Sequence, residues 1–181
     1  MPASYSKAAI PEPHVLLGQR LKPFCLGHYL ILDRFDSPFV AETPRPVTRG
    51  DLVFAVTVCC HTPQEFFDFI ESDHAAADIE KWGKSIGLFD VASKAKAFSV
   101  YLEEGSKMPR FWNEQRQDDK PTGTHWSQAM ILVLTGHCGY SLNEAMTAPF
   151  GQAVNDYLRY CETQGAVRLM TPEEVQLIHG S

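Results

Sequence analysis

The chain has 181 residues, 44% of them hydrophobic and 21% charged, enough for one core or a core with a small appendage. Sixteen lysines and arginines stand against 22 acidic residues, a net charge of -6 without any basic run, so the electrostatic footprint of a nucleic-acid binder is missing. No uninterrupted apolar stretch is long enough for a membrane-spanning helix, and Met1–Pro13 lacks the basic-then-apolar order of a secretion leader, so a cytoplasmic protein is expected.

Residues 1–13, with Pro2, Pro11 and Pro13 among small and polar residues, read as a flexible arm. Val15 to Lys22 then gives an apolar triplet, a Gly18 break and a weak alternation stopped by Pro23, which suits a short extended segment or hairpin. It is the one strand-like stretch of the sequence. Leu26, Tyr29, Leu30, Leu32 and Phe35 recur at three- and four-residue steps and predict a first helix that ends before Ser37-Pro38.

The proline-rich residues 36–47 are a loop. Thr48 stands three residues before Asp51, an acidic capping box that opens Leu52–Cys60, a segment apolar almost all round and therefore expected at the centre of the core. Thr62-Pro63-Gln64-Glu65 is a stronger start signal, followed by a short helix with Phe66, Phe67, Phe69 and Ile70. Asp73 can cap the next run, in which Ile79, Trp82, Ile86 and Phe89 form one stripe and Val91, Ala95, Phe98 and Leu102 a displaced second. Two packing partners, or a kink near Gly87, would explain the drift.

Helical periodicity stops after Glu104. Residues 105–124 form a long loop joining an N-terminal helical part (26–104) to a C-terminal one (124–178). Thr124 can cap a helix through Trp126, Ala129, Met130, Val133 and His137 up to Gly139. Ser141 and Glu144 make a further capping box before a short helix that stops ahead of Pro149, and Phe150, Val154, Tyr157, Leu158 and Cys161 continue helically to Gly165. Thr171-Pro172-Glu173-Glu174 repeats the start signal for a last helix carrying Val175 and Ile178. The expected fold is thus mainly α, an irregular single domain over 14–178 with seven or eight helices and a short N-terminal extended segment.

The motifs of phosphate loops, dinucleotide folds, hydrolase elbows and zinc peptidases do not occur. Five cysteines, an odd number, include one close pair, Cys59-Cys60, whose side chains would diverge by about 100° on a helix. Cys59-Cys60-His61 and His137-Cys138 supply thiolate and imidazole for a zinc site or a Cys–His nucleophile, but reduced, inert thiols in apolar helices suit the pattern better. His28, His74 and His125 are read as solvated or capping side chains, and Glu103-Glu104 and Asp118-Asp119 as solvated charge runs. No metal or cofactor is expected. Met108, Arg110, Phe111 and Trp112, in the long loop, have the composition enriched at protein interfaces; they either fold back on the core or meet a protein partner.

Two stretches carry a family resemblance. Leu17-Gly18-Gln19-Arg20-Leu21-Lys22-Pro23-Phe24-Cys25-Leu26-Gly27-His28-Tyr29-Leu30-Ile31-Leu32, with Ser37-Pro38-Phe39-Val40, resembles small phage proteins encoded among tail-morphogenesis genes. Gly139-Tyr140-Ser141-Leu142-Asn143-Glu144-Ala145-Met146-Thr147-Ala148-Pro149 is similar to a pattern in phage tail assembly chaperones. The resemblance implies a non-catalytic viral protein of the host cytoplasm that binds the tape-measure protein or another tail component, with self-association open; Met108, Arg110, Phe111 and Trp112, singled out by composition in a segment that does not map onto the family, are the candidate contact residues. Two alternatives stand beside it: a structural adaptor retained in the tail, and a small Cys/His metal protein or enzyme.

Overall fold

The computed structural model describes residues 13–43, 45–87, 89–113 and 125–179. The chain opens with a hairpin of β1 (Val15–Leu16) and β2 (Gln19–Arg20), registered Val15 to Arg20 and Leu16 to Gln19. Leu17 and Gly18 both have positive φ, 52° and 75°, the primed-turn geometry whose twist matches a two-residue hairpin.

The helices are α1 (Leu26–Arg34), α2 (Arg49–Cys60), α3 (Pro63–Ile70), α4 (Ala75–Lys84), α5 (Val91–Gly105), α6 (Trp126–Gly136), α7 (Leu142–Thr147), α8 (Phe150–Thr163) and α9 (Pro172–His179). A second antiparallel pair joins β3 (Phe111–Asn113), between the two helical parts of the sequence, to β4 (Val167–Leu169), between α8 and α9. The protein is mainly helical, a single compact domain with two small sheets. Nine helices occur among the described residues. None is long and apolar enough to cross a membrane.

α2 is central because its sequence leaves no polar face. Leu52, Val53, Ala55, Val56, Thr57, Val58 and Cys59 are all buried, and α1, α3, α4 and α5 pack around them. The Thr57 hydroxyl, the one polar group among them, donates to the Val53 carbonyl at 2.8 Å and so brings no unpaired donor into the core. Phe98 of α5 lies fully buried against Phe39 of the 36–47 loop, ring centroids 4.6 Å apart. The capping boxes at Thr48, Thr62 and Ser141 form as expected, each hydroxyl accepting from the N3 amide and each N3 carboxylate accepting from the cap amide.

The extended segment 21–25 ties the halves together. Its backbone is satisfied from three directions: the Lys22 amide donates to the Cys59 carbonyl, the Tyr101 hydroxyl to the Lys22 carbonyl, and the Phe150 amide to the Phe24 carbonyl. Leu21, Phe24 and Cys25 are buried in consequence.

Several expectations are corrected. Residues 105–124 are not one loop: 111–113 form β3, so the 15–22 stretch is not the only strand region. A three-residue strand has too few positions to show alternation, and its partner lies far along the chain. Residues 114–124, with Asp118-Asp119 and Thr124, lie outside the described residues, as do residues 1–12 of the arm. The 73–102 run is two helices, Ala75–Lys84 and Val91–Gly105, and the break between them spans Gly87, the position named for a kink. α4 starts after His74 rather than from a cap at Asp73, and Phe89, assigned to its stripe, is 97% exposed in the connection. α6 ends at Gly136, short of Gly139, which takes positive φ.

Candidate functional site

The β3–β4 register places Phe111 opposite Leu169, Trp112 opposite Arg168 and Asn113 opposite Val167. Because alternate strand residues face opposite ways, Phe111 shares the side of Leu169 and Val167, both packed against the core, while Trp112 shares the outer side with Arg168. The Met170 amide extends the pairing by donating to the Arg110 carbonyl at 2.9 Å.

α9 closes over this outer side. The Arg168 guanidinium grips the Glu174 carboxylate through two bonds, at 3.1 and 2.7 Å, while Glu174 also accepts the Thr171 amide as the N3 partner of the α9 start. The Arg168 bonds, then the Thr171 amide, hold the Glu174 carboxyl below its usual range, and a Trp112 hydrogen bond adds to this. Trp112 is 44% exposed, with Met108 at 51% and Phe111 at 37%; Arg110 is exposed beside them. Fold-back accounts for one side of Phe111 only. The rest of the group faces solvent.

The thiol and imidazole residues are arranged otherwise than a reactive centre requires. His61 Nδ1, the ring nitrogen nearest Cys60 Sγ at 3.2 Å, donates to the Thr57 carbonyl at 2.8 Å, so its lone pair is not offered to the thiol. Burial pushes the Cys60 thiol up to about 11 and the Cys25 thiol up to about 12, and raises the Cys59 thiol well above its ordinary value. His137 stacks on Tyr160 at 4.5 Å, while Cys138 lies over the Asp156 carbonyl. Among the described residues no three His, Cys, Asp or Glu side chains gather around a common metal position.

His28 is corrected outright: it is neither solvated nor a cap but 1% exposed inside the core. Its place on α1 follows the helical repeat, which turns positions 28, 31 and 32 inward together. His125 does cap, accepting from the Ser127 amide; His74 occupies the α4 cap position without a side-chain bond.

One further concavity, a shallow open cleft of about 450 Å³, is lined by residues including Tyr140, Glu144, Pro149 and Gln152. The Tyr140 hydroxyl donates to Asp156 Oδ2 at 2.7 Å and accepts from Gln152 at 3.2 Å. Burial, then this carboxylate, push the Tyr140 hydroxyl up to about 12, a proton too firmly held for acid–base work near neutrality.

No protein-family model, curated protein or solved structure matches this chain.

Proposed function

We propose that this chain is a non-enzymatic virion-morphogenesis protein of the phage tail assembly chaperone type, acting in the host cytoplasm on the tape-measure protein or another tail component. The observation that carries the reading is the solvent-facing group Met108, Phe111 and Trp112, with Arg110 beside it, on and just before a strand whose backbone is fixed by β4. Aromatic residues on a backbone already fixed by strand pairing give up little further backbone freedom on binding, which favours contact with an apolar helix face. Further support comes from the two stretches that carry the family resemblance. They are more than 100 residues apart in sequence yet pair through a Cys25–Pro149 bridge, with α1 packed on α7.

The test is co-expression with a tape-measure segment. The partner should become soluble and co-purify, and Trp112→Ala combined with Met108→Ala should release it while the variant keeps its helical circular dichroism. An unchanged partner, or a complex indifferent to both substitutions, defeats the reading. Mass spectrometry of purified particles separates the chaperone, which leaves, from a structural adaptor, which stays.

A further inference from the structure

A second exposed apolar surface is built from elements other than β3 and β4. Four phenylalanine rings run in contact from the end of α1 across α2 to α3: Phe35 to Phe54 at 5.2 Å, Phe54 to Phe66 at 6.1 Å, and Phe66 to Phe67 at 5.4 Å between centroids. The middle of this row is covered, Phe66 being buried and Phe54 half-buried, but its two ends open to solvent, Phe35 at 56% and Phe67 at 44% exposed. Ile70, three residues after Phe67 and on the same flank of α3, is also exposed. Burying these ends would take apolar area from water at no cost in buried polar groups.

The charge on the α3 side of the row is one-sided. Every charged residue of α3 and of the turn after it is acidic: Glu65, Asp68, Glu71 and Asp73. Lys22 reaches Glu65 at 3.3 Å, whereas the other three meet no cation in an ion pair among the described residues. At the α1 end, Arg45 is spent on both oxygens of Asp51 and on the Asp36 carbonyl. That leaves Arg34 and Arg49 against Asp33, Asp36 and Glu42. An acidic border along α3 beside the exposed Phe67 and Ile70 repels phosphate-rich partners and anionic lipid, and complements a helix with apolar residues on one face and lysine or arginine flanking it.

We infer that the Phe35–Phe54–Phe66–Phe67 row and its acidic border on α3 form a docking surface for a basic amphipathic helix of another protein. The aromatic ends anchor the apolar stripe of that helix, and Asp68 and Glu71 face its cationic flank. The surface does not depend on the tail-assembly reading, since neither β3 nor the resemblance enters its construction.

The probe is a synthetic Leu/Lys peptide of about five helical turns, with a Leu/Glu peptide of the same length and pattern as its counterpart, titrated into the full chain and followed by fluorescence anisotropy at low and physiological salt. The Leu/Lys peptide should bind, more weakly as salt rises, and the Leu/Glu peptide should not. Phe67→Ala should weaken binding by at least about tenfold. Asp68→Lys with Glu71→Lys, both on the solvent side and so harmless to folding, should reverse the preference between peptides. Trp112→Ala should change nothing. Equal binding of the two peptides, no binding of either, or indifference to both α3 variants overturns the proposal. So does sedimentation showing a dimer that Phe67→Ala dissociates, because the occupant is then a second copy of this chain.

Discussion

The imidazole Nε2 of His28 donates to the main-chain carbonyl of His61 at 2.7 Å, joining the start of α1 to the end of α2 inside the core. Its other nitrogen, Nδ1, is buried without a hydrogen-bond partner. The proton therefore resides on Nε2, and a second proton would have to enter at a site with nothing to receive it. Desolvation lowers the His28 pKa from 6.5 to about 4; the His61 carbonyl works in the opposite direction without prevailing.

The sign of the pH dependence follows. Unfolded His28 takes up a proton as pH falls through about 6.5 and the folded form resists until about 4, so stability is full above the first value and declines between the two. The loss should be on the order of 3 kcal/mol. Urea denaturation at a series of pH values should show this slope, and His28→Phe should flatten it at a pH-independent cost of about 1–3 kcal/mol from the lost bond to the His61 carbonyl. A slope of the same size in the variant would assign the acid sensitivity to other groups.

Gly27 of α1 carries a second prediction. A Cβ there would overlap the Pro63 ring at the start of α3 and approach the Met146 carbonyl of α7 to 3.0 Å. Alanine would gain about 1 kcal/mol of helix propensity, but the overlap with a ring fixed at a helix start outweighs it. Gly27→Ala should destabilise by roughly 1–3 kcal/mol. Thermal unfolding measures the sign, and a stabilised variant would mean that α1 and α3 part easily.

The capping boxes are separable from the core. Thr62→Ala and Ser141→Ala should each cost about 1 kcal/mol with no change in the denaturant slope, because each deletes one acceptor at an exposed helix start. Thr62→Ser should restore most of the loss. If alanine at these positions is silent, water replaces the hydroxyl at no cost.

Local chemistry made most of the helical starts legible in the sequence. Thr48, Thr62, Ser141 and Thr171 cap through groups three residues away, so no distant part of the chain is needed to recognise them. The central place of α2 was equally readable, since a helix without a polar face has nowhere else to go. The Met108 to Trp112 group could be found by composition, but not the strand pairing with Leu169 and Arg168, which comes from elsewhere in the chain.

What the sequence alone determined is where helices begin, which is a matter of neighbours within one turn, and which segment must be central, which is a matter of one periodic pattern. The tertiary structure alone decided that 111–113 is a strand, that His28 lies within the core, and that four phenylalanines from three elements line up in one row. Strand pairing, burial of a polar ring and ring-to-ring contact each depend on residues far apart in the chain, and their energies exist only once folding has brought those residues together.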